Sequence, residues 1–242
     1  MLIPWGHDSS QLRRRPWVTY GLGIACVLAF VLATGASDDA ALAEAEEELW
    51  EAYAYWEAHP YLTGPDHLER AVGPLSEDAR HFWETELGGT IPPAEIAASE
   101  QGELDARVAV AQSLLRTHAW YRFGLVPSSP RAAGLFGHMF LHAGFLHLLG
   151  NLWFLILAGP YIEDRFGRGT FAAFYLASGL AGAAIFCAAS PSFEGPLIGA
   201  SGAVSGVLGA FLVCCRNVRI KFFYWIILPG RFTAPAWVML PL

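Results

Sequence analysis

The sequence predicts an all-α fold, a polytopic bundle of membrane-crossing helices with one extramembrane insertion, and three observations predict it. Hydrophobic residues make up 54% of the 242 residues and charged residues only 15%, with a mean hydropathy of +0.37. Several apolar runs approach the ~20 residues a helix needs to cross hydrocarbon. Charge is also segregated. Residues 37–106 hold 18 of the 22 acidic residues with only Arg70 and Arg80 as bases, leaving −16 there and +9 on the remainder, which together give the net −7. The basic excess lies beside apolar runs and not in one patch, so it carries no footprint of nucleic-acid binding. Cys26, Cys187, Cys214 and Cys215 all fall in or at the end of apolar runs without C-x-x-C spacing. They read as buried thiols and not as a disulfide framework or a zinc site.

Residues 1–17 form an N-terminal segment ending in Arg13-Arg14-Arg15, and the first span covers 18–35. Three arginines before a span put the N-terminus in the cytoplasm. A cleaved signal peptide reads the same stretch, given the small residues from Ala33 to Ser37. On either reading the chain after residue 37 emerges on the outer side.

Residues 36–131 are the acidic insertion. Leu42, Leu49, Tyr53 and Trp56 recur at helical spacing and leave Glu44, Glu47, Glu48 and Glu51 to solvent, until His59-Pro60 stops the helix. A short helix is expected over Glu77 to Leu87. A third is expected from Ala94 to Trp120, with Leu104, Val108, Ala111 and Leu115 on one face. Together these make a helical cap. Its aromatic residues Trp50, Tyr53, Tyr55 and Trp56 also allow a substrate-recruiting surface.

Residues 132–242 form the membrane core, with spans at about 145–162, 170–189 and 197–215. Alternation from a cytoplasmic N-terminus puts Arg165 and Arg168 inside, the Lys- and Arg-free loop 190–196 outside, and Arg216, Arg219 and Lys221 inside, so every junction obeys the positive-inside rule. After Lys221, residues Phe222 to Leu228 read as an interfacial loop. Residues from 234 read as the opening of a fifth span, with the chain expected to be a piece of a longer protein.

Polar groups at membrane depth are functional candidates. Ser201 lies in Gly199-Ala200-Ser201-Gly202 near the outer end of its run, and His147 and Asn151 lie near the outer end of theirs, so all three share a shallow depth. His147 and Asn151 are four apart and share a helix face, which suits two donors serving the oxyanion of an acyl-transfer intermediate. They also read as a pair that satisfies a neighbouring helix. Gly199, Gly202, Gly206 and Gly209 give the run a smooth packing face. The esterase elbow Gly-x-Ser-x-Gly is not matched, since position 203 is alanine. His138, His142 and His147 allow a metal reading, against which no carboxylate or thiol adjoins them.

The run from His138 through His142 and His147 to Asn151, followed by Glu163-Asp164-Arg165-Phe166-Gly167 and then Gly199-Ala200-Ser201-Gly202, resembles the rhomboid intramembrane serine proteases. The resemblance implies a six-helix core, of which four spans and the start of a fifth are present. It also implies a Ser-His dyad that cuts transmembrane segments of membrane proteins. By the resemblance Ser201 is the nucleophile, and His147, Asn151 and the Ser201 N–H stabilise the oxyanion. Glu163 and Arg165 form a structural motif, and Gly199 and Gly202 fit the serine turn to its neighbours. Neither cofactor nor metal is implied. The partners are transmembrane substrates and the bilayer, and the setting is a multi-pass cell-membrane protein, compatible with a bacterial inner membrane, whose active site opens outward. Three departures stand out. The family's base histidine lies on its sixth helix, whereas here no histidine follows His147. Ser205 occupies the position where some members carry tyrosine, and the insertion is long. A non-catalytic relative that binds transmembrane segments is the alternative, and these 242 residues alone are expected to be inactive.

Overall fold

A computed structural model describes residues 2–7, 12–36, 39–215, 218–225 and 229–235. Its membrane part consists of α1 (Trp17–Ala36), α8 (Phe145–Phe166), α9 (Arg168–Ala189) and α10 (Ser201–Cys214). The first three are long and apolar enough to cross a bilayer. Large apolar side chains stand exposed along all four, among them Ile24, Leu32, Leu146, Ile185 and Val213. A belt of that kind is stable only where lipid covers it. The chain is a multi-pass membrane protein.

The helices run up and down. Gly167, at φ +81°, separates α8 from α9 by one residue, a backbone conformation that favours glycine. α10 returns antiparallel to α9, because Gly202 meets Gly182 while Gly206 meets Ser178. A Cβ on Gly182 would lie 3.2 Å from Gly202 Cα, so these backbones approach as only small residues allow. Met139, Leu155, Ile162, Phe171, Tyr175 and Phe211 fill the centre of the bundle.

One end of the bundle is tied by a carboxylate. Glu163, 2% exposed in the last turns of α8, accepts hydrogen bonds from Val18 N (3.0 Å), Thr19 N (2.8 Å) and Thr19 Oγ1 (2.8 Å). The first N–H groups of a helix have no partner within it, and a negative charge there also complements the helix dipole. Glu163 therefore caps α1 from a neighbouring helix. Gly159, one turn earlier, admits Thr19: a Cβ there would come within 2.7 Å of Thr19 Cγ2.

Between α1 and α8, α2 (Asp39–Ala58) packs along α5 (Ala94–Thr117), with α3 (Asp66–Val72) and α4 (Glu77–Thr85) over them. Ala52, Trp56, Leu62, Leu68, Leu104 and Val108 are their shared core. Trp56 also donates its indole N–H to Leu62 O at 3.1 Å. The helix expected to reach Trp120 ends at Thr117. His118 there leaves the helical conformation and its imidazole caps the short α6 (Ala119–Phe123) by accepting from Trp120 N. α7 (Ala132–Gly137) then leads into the loop before α8.

Two expectations are corrected. The span placed at 197–215 is helical only from Ser201, and its 14 residues rise ~21 Å at ~1.5 Å per residue. Residues 197–199 are held out of the helix because Leu197 exchanges two backbone hydrogen bonds with Leu125, and Gly199 N donates to His138 O. Residues 222–225 of the expected loop are strand. β2 (Arg219–Trp225) pairs antiparallel with both β1 (Leu2–His7) and β3 (Pro229–Pro235) in a sheet of order β1-β2-β3. Aromatic and β-branched residues in Arg219–Trp225 favour a strand, and the prolines fall on the edge strands, where a missing N–H is tolerated. Ala234 and Pro235 belong to β3. The rest of the expected fifth span, 236–242, lies outside the described residues, as do Arg216 and residues 226–228 of the expected loop.

Glu163→Ala removes three hydrogen bonds to a charged acceptor, each worth about 1.5–3 kcal/mol, and leaves the first turn of α1 uncapped. We expect a thermal midpoint in detergent lowered by several degrees, with Glu163→Gln recovering part of the loss.

Candidate active site at the start of α10

Ser201 is the first residue of α10, and its side chain is exposed. It stands at the helix start and not within the helix, because Gly199 at φ +124° turns the extended segment into the helix. The first intrahelical bond runs from Val204 N to Ala200 O at 2.9 Å. The N–H groups of Ser201, Gly202 and Ala203 therefore have no acceptor within the helix, and Ala200 supplies no capping side chain. Such a terminus favours developing negative charge.

His147, in the first turn of α8, reaches the same place. A Cβ on Gly199 would lie 2.8 Å from His147 Cε1 and Nε2, and 3.8 Å from Ser201 Oγ. The imidazole and the serine hydroxyl thus flank one glycine, and no residue with a side chain fits between them. Asn151 is buried one turn further along α8, and its Nδ2 donates to His147 O at 2.9 Å. This differs from two side chains aimed side by side: one amide N–H of Asn151 braces the turn that carries His147, and the other N–H remains as a donor.

His138 and His142 lie in the segment between α7 and α8. His138 Nδ1 is 2.9 Å from Gly134 O, and its own carbonyl receives Gly199 N at 2.8 Å. His142 is 2% exposed, with Nδ1 3.1 Å from Phe140 O and its ring edge-on to His147, centroids 5.1 Å apart. A carbonyl only accepts, so Nδ1 carries the proton and Nε2 is a buried lone pair without a hydrogen-bond partner among the described residues. Burial, reinforced by His147 and opposed by the Phe140 carbonyl, pushes the His142 imidazole down to about 4, so it is neutral at physiological pH. Among the described residues no cluster of three His, Cys, Asp or Glu side chains could hold a metal.

Glu163 and Arg165 lie at the far end of α8, about 24 Å along the axis from His147 at ~1.5 Å per residue. Glu163 caps α1, whereas Arg165 is exposed and has no ion-pair partner among the described residues. The cation that approaches Glu163 is Arg168, with Nε at 3.9 Å. Gly202 packs its Cα against Gly182. The sequence reading missed Thr19, Gly159, Gly182 and the contact of His142 with His147. A hydroxyl two residues into a span and small residues recurring on α9 were the available signals.

Residues 129–241 match the rhomboid domain family model. RHOMBOID-like protein 5 of Arabidopsis thaliana is 42% identical over 74 residues, 31% of this chain and 24% of that protein. Rhomboid protease GluP of Bacillus subtilis is 39% identical over 82 residues, 34% of this chain and 16% of that protein. Putative rhomboid protease YdcA of Bacillus subtilis is 38% identical over 82 residues, 33% of this chain and 41% of that protein. The matched stretch thus spans well under half the length of these relatives. No solved structure matches the chain.

Gly199→Ala puts a side chain into both a positive-φ position and the His147 ring. The expected cost is about 1–3 kcal/mol for the strain and a similar amount for overpacking. Thermal unfolding in detergent measures it, and Gly209→Ala, where a Cβ meets open space, serves as the neutral control.

Proposed function

We propose that this chain is a rhomboid-family protein and carries the nucleophile and oxyanion machinery of an intramembrane serine protease acting on transmembrane segments of membrane proteins, a reading supported by the match of residues 129–241 to the rhomboid domain model and by relatives named rhomboid proteases. The observation that carries this reading is the convergence of Ser201 Oγ and the His147 imidazole on Gly199. Ser201 Oγ attacks the scissile carbonyl while its proton passes to a base. The C–N bond then breaks as that proton moves to the leaving amine, and water releases the acyl group from Ser201 by the reverse exchange. The oxyanion accepts from His147, from the remaining Asn151 N–H and from the Ser201 backbone N–H, which a helix start presents without reorganisation.

The base is the group that residues 148–242 do not contain, since they hold no histidine. An unassisted serine is a weak nucleophile, so residues 1–242 alone are proposed to be inactive. Within these residues an alternative base is His142, whose Nε2 has no hydrogen-bond partner among the described residues. The proposed setting is a cell membrane, with Arg13 to Arg15, Arg165 and Arg168 at the cytoplasmic end and Ser201 opening to the opposite side.

In a protein with the complete rhomboid domain, Ser201→Ala is expected to abolish cleavage of a model transmembrane substrate, and Asn151→Ala to lower kcat by about 10²–10³, as loss of one oxyanion donor does. Undiminished cleavage by Ser201→Ala overturns the protease reading. Residues 1–242 reconstituted alone are expected to show no turnover. Ser201-dependent turnover by them that disappears in His142→Ala identifies His142 as the base.

A further inference from the structure

Arginines from two distant stretches of sequence meet at the Glu163 end of the bundle. The chain enters α1 there after Arg13-Arg14-Arg15, and it turns from α8 to α9 there through Arg165, Gly167 and Arg168. α10, antiparallel to α9, ends there as well. A Cβ on Gly167 would lie 3.9 Å from Arg14 Nη1, and Arg168 Nη2 donates to Arg15 O at 3.3 Å. Arg14 and Arg168 are thus brought to one turn. The acids at this end are already engaged. Glu163 caps α1 and has Arg168 Nε at 3.9 Å. Asp164 Oδ2 accepts from Arg13 N at 3.3 Å, and its Oδ1 is buried. Arg14 and Arg165 are exposed, and neither side chain makes a hydrogen bond or ion pair among the described residues. In sequence, residues 1–17, 161–168 and 215–235 carry nine Lys and Arg against Asp8, Glu163 and Asp164.

Like charges gathered without counter-charge repel one another and concentrate anions around them. The planar guanidinium fork matches phosphate oxygens in particular. The surroundings decide which phosphate. α1, α8 and α9 are long and apolar enough to cross a bilayer, so the end they share lies at headgroup depth. Trp17 and Tyr20, two and five residues after Arg15, are both exposed, as aromatic residues at a membrane interface are. Ile24, Leu28 and Val31 continue an exposed apolar stripe from Tyr20 along one face of α1. A phospholipid answers both features, whereas a free phosphate answers only the charge.

We propose that the Glu163 end of the bundle is a binding site for an anionic phospholipid, its phosphate held by Arg14 and Arg165 with Arg168 beside them, and an acyl chain lying along Tyr20, Ile24 and Leu28. The site is independent of the protease reading, because none of its residues belongs to the Ser201 end.

The test reconstitutes the full chain in phosphatidylcholine vesicles that contain a minor fraction of photoactivatable phosphatidylglycerol or, in parallel, of phosphatidylcholine carrying the same label. Adducts are mapped by peptide mass spectrometry. Labelling of α1 is expected to favour phosphatidylglycerol by about fivefold or more, the effect of at least one basic residue at an anionic surface. Arg14→Gln combined with Arg165→Gln is expected to remove the preference. The pair Arg14→Lys and Arg165→Lys, which keeps both charges, is expected to retain part of it and so separates loss of charge from loss of fold. Arg80→Gln, which removes one charge from the insertion, leaves the preference unchanged. Equal labelling by the two lipids, or a preference that survives the double Gln substitution, overturns the site. Displacement of the label by soluble glycerol phosphate added to the vesicles overturns it as a lipid site, since a free phosphate then suffices.

Discussion

The bundle depends on one buried carboxylate. Glu163 receives the second and third backbone N–H groups of α1 and the Thr19 hydroxyl, and so joins the start of the first span to the end of the second. A helix terminus in or near hydrocarbon has no water to satisfy it, and a buried carboxylate without donors is equally unfavourable. Each therefore requires the other. Gly159 and Thr19 set the spacing at which they meet, because any larger residue at 159 would push α1 outward. With α1 and α8 locked at this end, the other end of α8 holds His147 at a defined height opposite α10.

The Ser201 end is held by backbone and not by charge. The segment containing His138 and the strand containing Gly199 are joined by the Gly199 N to His138 O hydrogen bond, and Leu125 and Leu197 extend the same ladder. These contacts place an extended strand where a continuous helix would otherwise begin. Their result is a serine at a helix start, exposed, with a histidine ring across a glycine. The insertion packs a core of its own around Trp56 and Leu104.

Much of this was legible from residue patterns. The three long spans follow from hydropathy alone, and the face formed by Leu104, Val108 and Ala111 follows from helical spacing, all three being buried. Shared depth brought Ser201, His147 and Asn151 together on paper because each lies a similar distance from a span end. What could not be read was where non-local backbone pairing overrides an apolar run. Residues 197–199 are as uncharged as the helix that follows, and the bonds to Leu125 and His138 hold them out of it. The strand Arg219–Trp225 was opaque for the same reason: an aromatic run reads equally as an interfacial loop until its partners 2–7 and 229–235 are known. Arg165 illustrates a different limit, since three residues separate it from Arg168, and only geometry tells which of them approaches Glu163.

The pairing of β1 with β2 carries a consequence for how the chain is made. Leu2 pairs with Tyr224 and His7 with Ile220, so β1 cannot find its partner until more than two hundred further residues have been translated. At ~5–20 residues per second that delay is on the order of 10–40 s, longer than helices and hairpins need to form. The early segment must stay unpaired on its side of the membrane while three spans insert. Closing the sheet therefore follows the synthesis of the spans that lie between its first two strands.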